Sequence, residues 1–139
     1  AQVPTLILPD AITVIQNIGK LKSQGVELEL YAQPNKGLKL SYHGGITDAS
    51  YLKTGMHPVF TPKYSQSITI HYDFLSTMNS SFYVQTQMRW IGDTYFDVKN
   101  ELKQSSYFVE DFNIGWNLKA NNISIWSKNI WNKKYIAYA

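Results

Sequence analysis

Along most of this 139-residue chain, apolar and polar side chains change places at every second position. That period suits extended strands with two unlike faces, and the helical period of 3.6 is almost absent. Over 25–33, Val26, Leu28, Leu30 and Ala32 fall on one face, and Glu27, Glu29 and Gln33 on the other. Over 38–46, Leu38, Leu40, Tyr42 and Ile46 stand opposite Lys39, Ser41 and His43. Over 64–74, Ile68, Ile70, Tyr72 and Phe74 stand opposite Ser67, Thr69, His71 and Asp73. Over 82–92, Phe82, Val84, Met88 and Trp90 oppose Gln85, Gln87 and Arg89; over 108–118, Phe108, Phe112, Ile114, Trp116 and Leu118 oppose Asp111, Asn113 and Asn117. Ile123 and Ile125 begin one more such run. The pattern predicts an all-β chain, an antiparallel meander of about six strands.

The connections narrow the architecture. Residues 34–37 and 119–122 have the composition of tight turns, with Gly and Asn expected to supply positive φ. Residues 75–81 make a somewhat longer polar link, and long connections are expected over 47–62 and roughly 97–106. Short and long therefore alternate, which in a meander gathers the short turns at one end and the long loops at the other. Outer-membrane barrels have that asymmetry, whereas a soluble Greek-key sandwich has no reason for it. The expected fold is a segment of a large transmembrane β-barrel. Tyr72, Phe74, Phe82, Trp90 and Trp116 lie near strand ends on the apolar face, where they would form interfacial girdles. Aromatics also simply favour strands.

Composition fits the same pair of classes. Charged residues are 17% and aromatics 14%, with ten Tyr. No apolar run approaches the roughly 18 residues of a membrane helix: those over 5–8 and 11–15 are short and separated by Pro9 and Asp10. A soluble secreted β-barrel or sandwich binding a sugar or small apolar ligand is the alternative. The absence of cysteine excludes disulfides and thiol chemistry. The net charge of +3 is spread along the chain with no basic stripe, so no nucleic-acid partner is expected. After the run that starts at Ile123, a turn with Asn129, Asn132, Lys133 and Lys134 leads toward residue 139. Such a turn is expected to deliver another strand, so the chain is expected to be a piece of something larger.

Three stretches resemble the C-terminal barrel of TonB-dependent outer-membrane receptors of the siderophore type. One is Asn17, Gly19 and Lys20 followed by Gly25, Glu27 and Glu29; the second runs from Gly45 and Asp48 through Pro62 and Tyr64 to Tyr72 and Phe74. The third pairs Arg89, Trp90, Gly92 and Tyr95 with Asn129, Trp131, Asn132 and Tyr135. In order and spacing they cover nearly the whole chain. The resemblance implies a barrel of about 22 strands around an N-terminal plug, in the bacterial outer membrane. It also implies uptake driven by the TonB–ExbB–ExbD complex acting through that plug. Substrates would be scarce nutrients, most often ferric siderophores, less often haem, cobalamin or glycans. Residues 1–139 would be the C-terminal barrel segment, lacking plug and last strand. The six strands would then need partners, because open sheet edges leave N–H and C=O groups unpaired.

Candidate chemistry is sparse, and no enzymatic, metal or cofactor site is expected. There is no nucleophile triad, Walker motif or dinucleotide glycine motif. His43 and His71 sit on polar faces of adjacent expected strands, equidistant from His57, so a symmetrical hairpin would place them opposite one another. Lumen-facing residues bonded to neighbours and water are the expected reading. Glu27 and Glu29, about 7 Å apart on one face, suit wall-lining charges that meet Lys39, Arg89 or a plug. Arg89 is expected to pair with acids. The long loops carry the candidate ligand-binding residues: Tyr51, His57 and Phe60 in one, Tyr95, Phe96 and Tyr107 in the other. Such side chains suit a planar, anionic ferric chelate by stacking and charge. Equally, they suit loops packing on one another.

Overall fold

A computed structural model describes residues 2–7, 12–17 and 19–137, with side chains from Gly19 onward. Six strands form one antiparallel meander: β3 (Leu21–Ala32), β4 (Leu38–Tyr51), β5 (Tyr64–Phe74), β6 (Ser80–Ile91), β9 (Tyr107–Leu118) and β10 (Asn121–Ser127). β1 (Gln2–Ile7) and β2 (Ile12–Asn17) make a separate hairpin, and β7 (Thr94–Tyr95) and β8 (Lys103–Gln104) a short one between β6 and β9. The hairpin β1–β2 holds residues 5–7 and 12–15 of the two apolar runs that the sequence marked only as too short to span a membrane; Leu8 and Ala11 lie outside the described residues. Ile18 in the first family-like stretch, and residues 138–139 toward which the last turn leads, lie outside the described residues.

The register carries the alternation across the whole sheet. One row joins Leu30, Tyr42, Ile68 and Met88, and the next joins Ala32, Leu40, Ile70, Thr86 and Phe112. A third joins Leu38, Tyr72, Val84, Ile114 and Ile125. Between them lie the polar rows, such as Ser41, Thr69, Gln87 and Asp111. Because side chains repeat with period two, a slip by one residue would turn every apolar side chain to the polar face.

Nothing among the described residues packs against the apolar face as a second sheet. Val26 is 73% exposed, Leu28 50% and Leu30 55%, and among the described residues the buried hydrophobic side chains are Ala49, Tyr51 and Val109. A sandwich would instead interdigitate two inner faces about 10 Å apart. The apolar face is therefore directed outward with no protein core over it, as the barrel expectation requires and the soluble alternative does not.

Aromatic rings cluster toward the two ends of this face. Near the short turns, Tyr72, Phe74, Phe82 and Trp116 form a chain of stacked rings with centroids 5.4–6.3 Å apart. The Trp116 indole N–H donates to Ser80 Oγ at 2.7 Å. Near the long loops, Trp90 lies 4.9 Å from Phe108. Phe82 and Trp90 are eight positions apart on β6, about 26 Å along a strand and roughly 20 Å along the membrane normal at a usual tilt.

Short and long connections alternate as expected, with two differences in detail. β4 runs on to Tyr51, so residues 47–51 are strand and the loop begins at 52; the ladder to Leu21–Gly25 of β3 supplies the hydrogen bonds that extend it. The tight turns also do not use the expected Gly and Asn positions for positive φ. In the first, Asn35 Oδ1 accepts the N–H groups of Gly37 and Leu38, both at 2.9 Å, and Gly37 has ordinary φ. In the last, Lys119 takes the positive φ (52°).

Candidate functional site

The polar face is a ladder of paired side chains. Arg89 Nη2 donates to Asp111 Oδ2 at 2.7 Å across β6 and β9, as expected for an arginine paired with an acid. Lys39 lies 3.3 Å and His71 3.1 Å from opposite oxygens of Asp73. Lys39 thus meets Asp73 rather than Glu27 or Glu29. Glu29 lies 3.5 Å from His43, whose ring also meets Tyr31 edge-on. His43 and His71 are not opposite: His43 pairs with Ser67 and His71 with Lys39. The loop after β4 is not symmetrical about His57, and the ladder register, fixed by the apolar rows, shifts the two histidines apart. Among the described residues no cluster of His, Asp and Glu could hold a metal ion. A groove of about 290 Å³ opens on this face, lined among others by Glu27, Glu29, His43, Ser67 and Arg89.

The two long loops pack together at the other end of the sheet, and most of the candidate ligand residues meet there. His57 stacks on Tyr95 with centroids 5.5 Å apart and rings 8° from parallel, and its Nδ1 donates to the Ala49 carbonyl at 3.2 Å. Phe60 meets Phe96 edge-to-face at 5.6 Å, and the Phe60 N–H donates to Tyr95 O at 2.8 Å. Tyr107 stands apart from these four, stacked 4.5 Å from Tyr135. Tyr51 is only 2% exposed and offers almost no surface to a ligand. Phe60, Phe96 and Tyr107 line, with Tyr135 and Ile136, a groove of about 260 Å³.

Two polar devices hold these loops, and neither was singled out from sequence. Asn100 bridges them: its Oδ1 accepts His57 N–H at 2.7 Å and its Nδ2 donates to His57 O at 2.9 Å. The Asp97-to-Asn100 spacing of an Asx-type turn was the available signal. Burial alone opposes ionisation of Asp97, but the backbone N–H groups of Leu102, Glu101 and Lys99 outweigh it and hold its carboxyl below the usual range. Asp93 meets Lys103 at 2.6 Å and accepts Ser106 N–H at 2.7 Å. The hydrogen bond from Lys103, then that from Ser106, keeps the Asp93 carboxyl below its ordinary value, and the same bond raises Lys103.

A single sheet with one outward apolar face and one ion-paired polar face narrows the choice to barrel walls, and comparison with known proteins decides among them. The family model for TonB dependent receptor-like β-barrels matches residues 2–130. The chain belongs to the TonB-dependent receptor β-barrel family. Members of that family are transport receptors rather than enzymes. The chain is 26% identical over 136 residues to the pesticin receptor of Yersinia pestis, covering 94% of this chain and 20% of that protein. It is 27% identical over 128 residues to the ferrichrome outer membrane transporter/phage receptor of Escherichia coli K12, covering 86% and 17%. The ferric yersiniabactin uptake receptor FyuA of Y. pestis shares the fold, with TM-score 0.79 and 24% identity over 90% of this chain and 21% of that one. So does BauA, the ferric preacinetobactin receptor of Acinetobacter baumannii, with TM-score 0.73 and 16% identity over 96% and 22%. This stretch of TonB-dependent receptor barrel spans about a fifth of the length of the relatives it matches.

Proposed function

We propose that the chain is the C-terminal barrel segment of an outer-membrane receptor for TonB-dependent uptake of a ferric siderophore or similar scarce nutrient. The observation that carries this is the outward apolar face, continuous over six strands and set against a polar, ion-paired face. The outward side chains meet outer-membrane lipid, and the polar face lines the lumen. There Glu27, Glu29 and Arg89 border a groove toward a plug that belongs to the rest of the receptor. Energy arrives from the TonB–ExbB–ExbD complex through that plug, and no bond is made or broken by this segment.

The packed long loops lie outside the cell, and the groove lined by Phe60, Phe96 and Tyr107 is a point of first contact for the ligand. Its aromatic walls suit planar, conjugated chelating groups. Deleting the full-length gene is expected to abolish energy-dependent uptake of at least one radioiron-labelled siderophore from a panel. Restoring the gene, but not a copy without this segment, is expected to recover it. Unchanged uptake of every iron chelate, together with lost uptake of a glycan or cobalamin, would move the substrate class and keep the transporter. Recovery of the protein in the soluble periplasmic fraction would overturn the reading altogether.

A further inference from the structure

Glu110 is out of place. It lies on the apolar face of β9, in the row of Leu30, Tyr42, Ile68 and Met88, with Phe108 and Phe112 beside it on the strand. At the outward positions of β5, β6, β9 and β10 it is the only residue of the Asp, Glu, Lys or Arg type. A carboxylate facing lipid is costly unless its oxygens are satisfied. Here both are: Thr86 Oγ1 donates to Oε1 at 2.8 Å and the Trp131 indole N–H to Oε2 at 2.8 Å.

The neighbouring Asp111 points to the other face and grips the same segment. Its Oδ1 accepts the Asn129 N–H at 2.8 Å, while Oδ2 takes Arg89. Between the two side chains, Ile130 N–H donates to the Glu110 carbonyl at 2.9 Å. The segment after β10 is thus clamped to the edge of β9 from both faces of the sheet. It then folds tightly, with Asn129 and Asn132 at φ 50° and 49° and the Asn129 carboxamide bonded to Lys133 N–H and C=O, both at 2.9 Å. The turn brings Tyr135 onto Tyr107 and Ile136 N–H to Gln104 Oε1 at 2.8 Å. Tyr135, Ile136 and Ala137 there line the loop groove together with Phe60 and Phe96.

We propose that Glu110 and Asp111 are positioning residues for that groove: together they seat residues 129–137 as its wall and so set the width a ligand must fit. The ligand's part in this rests on the receptor reading above; the clamp itself does not. This gives the carboxylate a role on the face turned to lipid. Glu110 touches no ligand and acts through Trp131.

The test uses the full-length receptor in outer-membrane vesicles, freed of other cysteines. Thr94→Cys reports access to the groove through its labelling rate with fluorescein maleimide. A Tyr107→Cys/Tyr135→Cys pair reports wall position through its yield with a short bis-maleimide. Glu110→Leu and, separately, Trp131→Phe are expected to raise the labelling rate several-fold and lower the cross-linking yield several-fold. Glu110→Gln, which keeps a carbonyl for Trp131, is expected to restore both most of the way. Heat-modifiable mobility shows that each variant is folded; if Glu110→Leu fails to insert, Trp131→Phe decides. Either readout unchanged in a folded clamp variant overturns the proposal. No ligand enters the assay, so a receptor that proves to carry no iron chelate leaves its outcome intact.

Discussion

Asn100 sits at positive φ (59°) with its carboxamide turned onto the backbone of His57, accepting from the N–H and donating to the C=O. Both partners are half-buried, so removing the amide leaves two backbone groups short of a partner, at about 1–3 kcal/mol each. Asn100→Ala is accordingly expected to free the 52–63 loop from the 92–106 loop. Amide hydrogen exchange at His57 in the full-length receptor should rise by an order of magnitude or more, with global unfolding little changed. The Asp93–Lys103 pair predicts a pH response with a definite sign. The folded Asp93 carboxyl is depressed, so its contribution is fully present above the unfolded value near about 3.9 and is lost as pH falls through the lower folded value. Lys103 is raised, so its contribution holds below about 10.4 and is lost as pH rises through the higher folded value. Exchange at Ser106 N–H, which bonds Asp93 Oδ1, should therefore show loosening of the β7–β8 hairpin in acid and in strong alkali. Asp93→Asn should flatten both arms. Both groups are well exposed, so the effect is local. These contacts lay beyond sequence reasoning because each joins residues far apart in the chain through a side chain whose type alone does not name its partner. The clustering of His57, Phe60, Tyr95 and Phe96 was legible only as a shared class of loop aromatic.

Five of the six strands were visible in the sequence because each carries four or more apolar residues at period two, a signal that no helix imitates; β10 shows only Ile123 and Ile125. The missed hairpin of β1 and β2 shows where that signal fails. Its segments hold apolar residues in runs, as at Leu6–Ile7 and Val14–Ile15, so alternation is broken and the strands look like fragments of something else. Strand ends moved for a related reason: β4 gains residues 47–51 from ladder bonds to β3, which alternation within β4 does not encode. Face assignment on a strand predicts sharply different costs for one substitution. Ile70→Arg, midway between the aromatic clusters on the outward face, is expected to cost about 2–4 kcal/mol. Thr69→Arg, one residue away on the polar face, is expected to cost well under 1 kcal/mol. Urea unfolding of the full-length receptor from vesicles measures both. Gly115 tests packing on the inner face, because a Cβ there would run into the Tyr83 ring, which also stacks 5.3 Å from His71. Gly115→Ala should cost roughly 1–3 kcal/mol, and Tyr83→Ala in the same chain should return much of it. Two independent, additive losses would show that the ring does not lie over this glycine.

At the scale of the molecule, a barrel wall requires the apolar side of the sheet to face lipid. The edges of the sheet, β3 and β10, each offer a row of backbone groups to a neighbouring strand. The aromatic clusters on the outward face lie roughly 20 Å apart along the membrane normal, near the height of an outer-membrane apolar band, and the polar face pairs Arg89 with Asp111, Lys39 and His71 with Asp73, and His43 with Glu29. The alternation of short turns and long loops fits the same orientation, with the long loops on one side and the tight turns on the other. Spin labels placed one at a time on full-length receptor in a bilayer test this most directly, through relaxation by oxygen and by a water-soluble nickel chelate. Labels at 28, 30, 68, 70, 114 and 116 are predicted to be reached by oxygen and shielded from nickel, and those at 27, 29, 67, 69, 113 and 117 the reverse. Shielding of the first set from both reagents, with no alternation, would place those side chains in a protein core and contradict the barrel wall.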